Sequence, residues 1–373
     1  VTEKPLNLKA TMEQPAGHIK ERFQGMLPDI AFIIGMGRSG TTLLTNMFNS
    51  NPEVVSTPEN EFIVFSKQSF QDKDFSNEAI LNSFMYMLSF DYSVVHSIWK
   101  PSSELASDIR QLKEKNFANV CKLVYLNYPF AGKEKKDIKL IVDKNPVYSL
   151  HLETLSKIYP EAKYIVLTRD HRDNVLSRKK YGDKKKSVFE FAVSWNYYYE
   201  RIFSDLKKYG LKHHLVRYED LVADPAGTLR SLCSYLGIDY SENMLEFQDL
   251  SKKIKAHVKE SSSAELFDKI NKMHSNLDNN VNPQRIKAYE KELTTEEIRM
   301  INYVCSHFAH RFGYLDKTDA ENLNIPFSWK FNKLKYNLIV KAYYAMRSLY
   351  YKAPVNMRLS QLRPSASKGL NKP

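Results

Sequence analysis

One segment near the N-terminus restricts the fold more than any other. Ile30-Ala-Phe-Ile-Ile-Gly35 is a short apolar run closed by glycine, and Met-Gly-Arg38-Ser39-Gly40-Thr41-Thr42 follows it directly. A run that is apolar at successive positions, rather than alternating, suits a parallel strand buried on both faces. From Thr41 to Ser50 the spacing becomes helical, with Leu44, Met47 and Phe48 on one side. A strand, a glycine turn and a helix in that order make an anion cradle. Glycine lets the backbone fold back and aim successive N–H groups inward, and the helix start adds the positive end of its dipole. Arg38 brings a charged fork, while Ser39, Thr41 and Thr42 bring hydroxyl donors. A strand–turn–helix corner without a ligand is the bland alternative.

The strand signal recurs downstream. Ile138–Val142 stops at Asp143, Tyr164–Leu167 stops at Thr168-Arg169-Asp170, and His214–Val216 stops at Arg217-Tyr218. Helical patterns cover Tyr148–Ile158, Asp173–Lys180, Ser187–Lys208 and Pro225–Leu236. Asp224 is a good N-cap for the last of these, Pro225 suits the first helical position, and Gly237 can close the end. Thr294 with Glu297 forms a capping box for a helix reaching about Phe312. Strands alternating with helices predict an α/β fold, a parallel sheet flanked by helices with right-handed crossovers. The expected division is an N-terminal extension over 1–28, a main domain over 29–315 and a basic, aromatic C-terminal tail over 316–373. Within the domain, residues 70–130 read as a helical insertion and 251–280 as a mobile loop or lid.

Charge and cysteine usage narrow the function classes. The formal charge is +12, and between Leu323 and the C-terminus there are ten Lys or Arg and no Asp or Glu, so the rest of the chain is close to neutral. Such a tail is expected to meet an acidic surface. Trp329 to Tyr351 has Phe331, Leu334, Leu338, Ala342, Ala345 and Leu349 at helical spacing, among lysines, Arg347 and five tyrosines. That pattern fits an anionic membrane surface, or packing on the chain's own domain or a partner subunit. Nucleic acid is not expected, because no known reading module accompanies the basic residues. The three cysteines, Cys121, Cys233 and Cys305, are scattered, which excludes a disulfide framework and speaks against a zinc site. A cytoplasmic location, peripheral at a membrane, is expected. No run approaches the ~20 apolar residues of a membrane span, and a start at Val1 leaves room for a removed leader. The oligomeric state is not readable.

Arg38-Ser-Gly-Thr-Thr42 resembles the 5′-phosphosulfate loop of the sulfotransferases that use 3′-phosphoadenosine 5′-phosphosulfate (PAPS). Arg169-Asp-His-Arg-Asp-Asn-Val-Leu-Ser177 resembles their 3′-phosphate motif, with Arg and Ser eight residues apart at a strand end. Independently of any family, an arginine just past a strand with a hydroxyl two helical turns on is sound chemistry for a terminal phosphate. Val216-Arg-Tyr-Glu-Asp-Leu221 is similar to a third segment, whose aromatic, here Tyr218, lies near the adenine. Arg285-Ile-Lys287-Ala-Tyr289 looks like the late Gly-Arg-Trp segment that closes over the donor, although Gln284 and Ile286 replace the usual Gly and Trp. The resemblance spans roughly residues 30–315 and is closest to the protein-tyrosine and bacterial branch. It implies a P-loop-like fold, PAPS as donor, the bisphosphate PAP as product, and donor contacts from Arg38, Ser39, Gly40, Thr41, Thr42, Arg169, Ser177, Tyr218, Arg285 and Lys287.

Sulfuryl transfer requires a base for the acceptor hydroxyl and positive charge for the leaving oxygen. Because a sulfuryl group is less negative than a phosphoryl group, cationic side chains can stand in for Mg²⁺, and no metal is expected. Glu59 lies 21 residues after Arg38, where the protein-tyrosine branch carries its catalytic base. Glu61 is the reserve, and His96 and His151 are further alternatives, His151 also reading as a simple helix start. Lys144, just beyond the second apolar run, resembles the family lysine that stabilises the transition state, and Arg38 assists it. The acceptor expected is a lipid, sterol or carbohydrate alcohol ahead of a protein tyrosine. Phe62, Phe65, Phe84, Tyr86, Phe90, Tyr92 and Trp99 suit an apolar or sugar-stacking pocket, or equally a core. Two other readings compete. One is a P-loop kinase with Asp143 as metal ligand, against which Thr41 in the lysine position of GxxxxGK[ST] speaks. The other is a non-catalytic protein that binds membranes or polyanions.

Overall fold

The computed structural model describes residues 27–57, 59–90, 101–128, 133–181, 186–248, 252, 283–316 and 325–359. Its centre is a five-stranded, wholly parallel sheet in the order β2-β3-β1-β4-β5. The strands are β1 (Asp29–Ile34), β2 (Val54–Ser56), β3 (Leu140–Lys144), β4 (Lys163–Thr168) and β5 (His213–Arg217). Alternate residues of β1 enter two separate cores. Phe32 and Ile34 join Val55, Ile141, Tyr164 and Val166 on one face, while Ala31 and Ile33 join Val54, Val142, Ile165 and Leu167 on the other. Burial on both sides is why the strand reads as unbroken apolar sequence. All four expected strands are present: β1, β4 and β5 lie within one residue of expectation, whereas β3 starts and ends two residues later than the apolar run, so that Asp143 and Lys144 belong to the strand. The edge strand β2 was not anticipated: three residues are too few to set a period.

Helices fill the crossovers. In chain order they are α1 (Thr41–Asn49), α2 (Phe62–Phe70), α3 (Glu78–Leu88), α4 (Ser103–Gln111), α5 (Phe117–Leu126), α6 (Leu152–Ile158), α7 (His171–Tyr181) and α8 (Val188–Lys208). They continue with α9 (Tyr218–Ala223), α10 (Pro225–Leu236), α11 (Tyr289–Glu292), α12 (Thr295–Arg311), α13 (Phe327–Lys352) and α14 (Val355–Leu359). Where caps were legible, boundaries hold. Asp224 accepts from the Gly227 N–H and Gly237 closes α10 in the left-handed region; Thr294 and Glu297 form the capping box of α12. The expected continuous helix at Tyr148–Ile158 is instead a 3-10 turn, Pro146–Leu150, followed by α6. Pro146 and the Asn145 side chain, which accepts from the Val147 N–H, set the tight first turn.

Residues 70–130, expected to be a helical insertion, contain α3, α4 and α5. Phe62, Phe65 and Phe84 are buried in the core rather than lining a pocket, whereas Tyr86 is exposed and contacts Phe90 edge-on. Tyr92, Trp99 and His96 lie outside the described residues, as does the 251–280 loop except Lys252 and most of the 1–28 extension. The tail helix α13 does pack on its own domain: Tyr344 stacks on Tyr197 of α8 at 5.1 Å, and Tyr336 meets Phe189 at 5.7 Å.

Candidate active site

The tips of β1 and β4 stand side by side, and their following turns form one basic pocket. Gly35 leaves β1 with φ +149, and a Cβ there would lie 2.2 Å from the Leu167 carbonyl oxygen, so only glycine fits against β4. Ser149 pins the same residue, accepting from the Gly35 N–H at 2.9 Å and donating to its carbonyl at 3.2 Å. Arg38 then adopts φ +73, a left-handed conformation uncommon and costly for a residue with a Cβ. Asn174 of α7 holds the turn in place, donating to the Gly37 carbonyl and to Ser39 Oγ, both at 3.1 Å. Gly40 (φ +92) packs so closely on Tyr218 that a Cβ would meet the ring at 2.4 Å. No side chain caps α1, and its first turn carries no acid. Its leading N–H groups are therefore presented beside Thr41 and Thr42, with Thr41 buried and Thr42 half-buried.

Three arginines converge there. The Arg38 Nε donates to Ser177 Oγ at 3.1 Å, so the turn after β1 touches the helix after β4 directly. Arg169 is nearly buried. It lies 4.6 Å over the Tyr218 ring and donates to the Arg285 carbonyl at 2.8 Å and the Arg38 carbonyl at 3.4 Å. Burial, then the charges of Arg285 and Arg169, lower the Arg38 pKa below its ordinary value. Mutual repulsion of this kind is relieved when an anion enters. The Nε of Arg169 is buried with no hydrogen-bond partner among the described residues, an expensive state for a charged group. An orphaned guanidinium nitrogen, paired with hydroxyls and an uncapped helix start, fits a phosphate- or sulfate-bearing ligand.

The late segment is attached by Asp173, whose carboxylate accepts from the Lys287 N–H at 2.8 Å and the Tyr289 N–H at 3.0 Å. Burial raises its pKa to about 6, against the opposing pull of Arg169. Arg285 thus reaches the pocket, while Lys287 (φ +59) is exposed and is tied in by its backbone. Tyr218 is in the pocket as expected, but its ring is covered by Gly40 and Arg169, which makes it a platform for the arginine.

Glu59 and Lys144 meet at the neighbouring β3 tip. The Lys144 Nζ contacts Glu59 Oε1 at 2.8 Å, with the lysine side chain 3% exposed and the glutamate 51%. The cation is fixed at the floor and the carboxylate projects to solvent. Tyr148 secures the loop by donating to the Asn60 carbonyl at 3.0 Å. Glu61 is used differently: it accepts from the Tyr351 hydroxyl, lies 3.9 Å from Arg347, and burial raises its pKa. Those partners make it a structural anchor, a poor position for a base. His151 is the N-cap residue of α6 and meets the Tyr351 ring at 4.9 Å; burial lowers its pKa to about 4. Asp143 is wholly buried, accepts from the Tyr125 hydroxyl, and is pushed up by burial to about 7. It faces the core beside Tyr125.

The structure thus brings Arg38–Thr42, Arg169, Ser177, Tyr218 and Arg285, all named from the sequence, into one pocket, and it adds a contact between Glu59 and Lys144 that the sequence did not indicate. Sequence reading missed Ser149 and Asn174, which hold the turn, and Tyr351, which holds Glu61. Asn174 lies within the Arg169–Ser177 motif, a signal that was available; Tyr351 lies 290 residues from its partner, and nothing local marks it.

The sequence model of the Sulfotransferase family matches residues 29–242. Protein-tyrosine sulfotransferase 2 of Gallus gallus is 22% identical over 241 residues, covering 63% of this chain and 58% of the relative. Protein-tyrosine sulfotransferase 1 of Danio rerio is 25% identical over 238 residues, covering 59% and 56%. The chain therefore spans a little over half of those relatives. Among solved structures, the sulfotransferase domain from the curacin biosynthetic pathway covers 78% of this chain and 99% of its own, at 22% identity and a TM-score of 0.48. With more than half of its length matched by that sequence model, and its anion pocket at the tips of the matched strands, the chain belongs to the sulfotransferase family.

Proposed function

We propose that the protein moves a sulfuryl group from PAPS to the hydroxyl of an acceptor, without a metal ion. The observation that carries this reading is the Arg38–Ser177 hydrogen bond at 3.1 Å. It joins the two motifs expected to hold opposite ends of one adenosine bisphosphate. Arg38 to Thr42 and the start of α1 would hold the phosphosulfate, Arg169 and Ser177 the 3′-phosphate, and Tyr218, Arg285 and Lys287 the remainder. The donor supplies an activated sulfuryl group and a good leaving bisphosphate. Glu59 takes the acceptor proton, within hydrogen-bond reach of a hydroxyl arriving from solvent. Lys144, already fixed at 2.8 Å from that carboxylate, meets the charge that develops on the bridging oxygen, with Arg38 assisting. A preorganised donor of this kind contributes about 3 kcal/mol to a transition state.

The acceptor in this reading is an alcohol carried on a lipid, sterol or carbohydrate, supported by the apolar, basic tail helix. The second reading is a protein tyrosine, supported by the names of the relatives. Titration calorimetry with PAP and with ADP tests the donor assignment. PAP is expected to bind at micromolar or better without metal, and ADP much more weakly. Tighter binding of ADP, or a requirement for Mg²⁺, would favour a kinase-like phosphotransferase instead.

A further inference from the structure

Helix α13 has two faces, and the wrong one is covered for a helix that serves only to pack. Trp329, Val340 and Tyr351 are buried against the domain, with Tyr336 and Tyr344 beside them. The aliphatic side points away. Phe327 is 82% exposed, Leu334 and Leu338 62% each, and Phe331 and Leu349 are also exposed. At 100° per residue these five occupy an arc of about 60° along roughly 33 Å of helix. Exposed Lys330 and Lys341 follow one edge of this strip and exposed Lys335 the other. A continuous apolar strip of this size is rare on a monomer unless something binds it.

The charge pattern identifies the occupant. From Leu323 onward the chain has ten cations and no carboxylate. A second copy laid face to face would set lysines against lysines with no local acid to neutralise them. A surface of anionic lipid headgroups answers both features, taking the aliphatic strip into the acyl boundary and pairing each edge lysine with a phosphate. The helix is not long and apolar enough to cross a membrane, so it lies along the interface. We infer that α13 is an interfacial helix docking the protein on anionic lipid. Its far end carries Tyr351, bonded to Glu61 in the loop that bears Glu59, so the docked helix and the acceptor side are one mechanical unit. Docking stands whether or not the chain turns over PAPS.

The test is co-sedimentation of the full chain with vesicles of phosphatidylglycerol and phosphatidylcholine, against phosphatidylcholine alone. The expected result is salt-sensitive partition onto the anionic vesicles only. The double variant L334S/L338S should lose at least tenfold in partition, and K330Q/K335Q/K341Q on the order of a hundredfold, since each lysine near an anionic surface is worth roughly fivefold. All five positions are solvent-exposed or half-exposed on one helix, and unchanged PAP binding in calorimetry confirms that each variant is folded and separates a failed docking from a failed donor assignment. Equal partition onto both vesicle types, or partition unaffected by the two serines, would overturn the proposal. So would a vesicle-free dimer, seen by sedimentation velocity, that the serines dissolve, for the strip would then belong to a second copy.

Discussion

The two halves of the site are built on different plans. On the arginine-pocket side most groups directly follow a strand, Arg38 to Thr42 after β1, Arg169 to Ser177 after β4 and Tyr218 after β5, and Arg285 joins them from the late segment. The β1 turn is locked by close fit against the neighbouring strand ends, Gly35 against Leu167 and Gly40 against Tyr218. On the acceptor side, Lys144 is a strand residue, but Glu59 rides a loop whose other end is held by distant chain. Tyr351 bonds Glu61, the Arg358 guanidinium donates to the Phe65 carbonyl, and the Val355 N–H donates to Ser69 Oγ at 3.1 Å. The arginine pocket is thus built on the strand ends of the sheet, while the segment from Glu61 to Ser69 depends on how α13 and α14 clasp α2.

Four measurements bear on that contrast. The largest effect is expected from Glu59→Gln: turnover falls on the order of a thousandfold while PAP binding is retained. Near-normal turnover would move the base elsewhere. Lys144→Met follows, with kcat lowered roughly a hundredfold and donor affinity changed far less. If PAP affinity fell in step, the two halves would not be separable. The third concerns Asp143, whose folded pKa of about 7 exceeds the ordinary 3.8 of an aspartate. The unfolded carboxyl ionises first, so the folded state binds more protons between those values and stability falls as pH rises from about 4 to about 7. Thermal melts of Asp143→Asn, which can still accept from Tyr125, should lack this component, on the order of a few kcal/mol. An equal slope in the variant would place the titration in another group. Arg38→Ala and Ser177→Ala come last: PAP binding weakens by about 2 and about 1 kcal/mol, measured by calorimetry. Loss of turnover without loss of affinity would contradict a donor role for either residue.

The same contrast governs what could be read in advance. The β1 turn, the Arg169–Ser177 motif and the caps at Asp224 and Thr294 are local patterns, and each sits where its residues imply. β2 escaped because three residues carry no period, although it leads directly into the Glu59 loop. The tail shows a subtler limit. Helical spacing establishes that α13 has an aliphatic and an aromatic side, but not which side meets the domain. Aromatic stacking on Tyr197 and Phe189 claims the tyrosine side, an outcome set by α8 and invisible from residues 329–351 alone. Likewise, Glu59 and Glu61 are indistinguishable as loop carboxylates until Tyr351 takes one of them.

Arg358 is among the most buried side chains of the protein, sandwiched 4.2 Å over Phe65 and capping the carbonyl of the same residue. A ribosome makes Phe65 almost three hundred residues before it makes Arg358. While the chain is being synthesised, the sheet and its arginine pocket can close long before α2 has its clasp. A nascent chain that stops short of α14 would therefore carry the arginine pocket already formed while α2 still lacks its contact with Arg358.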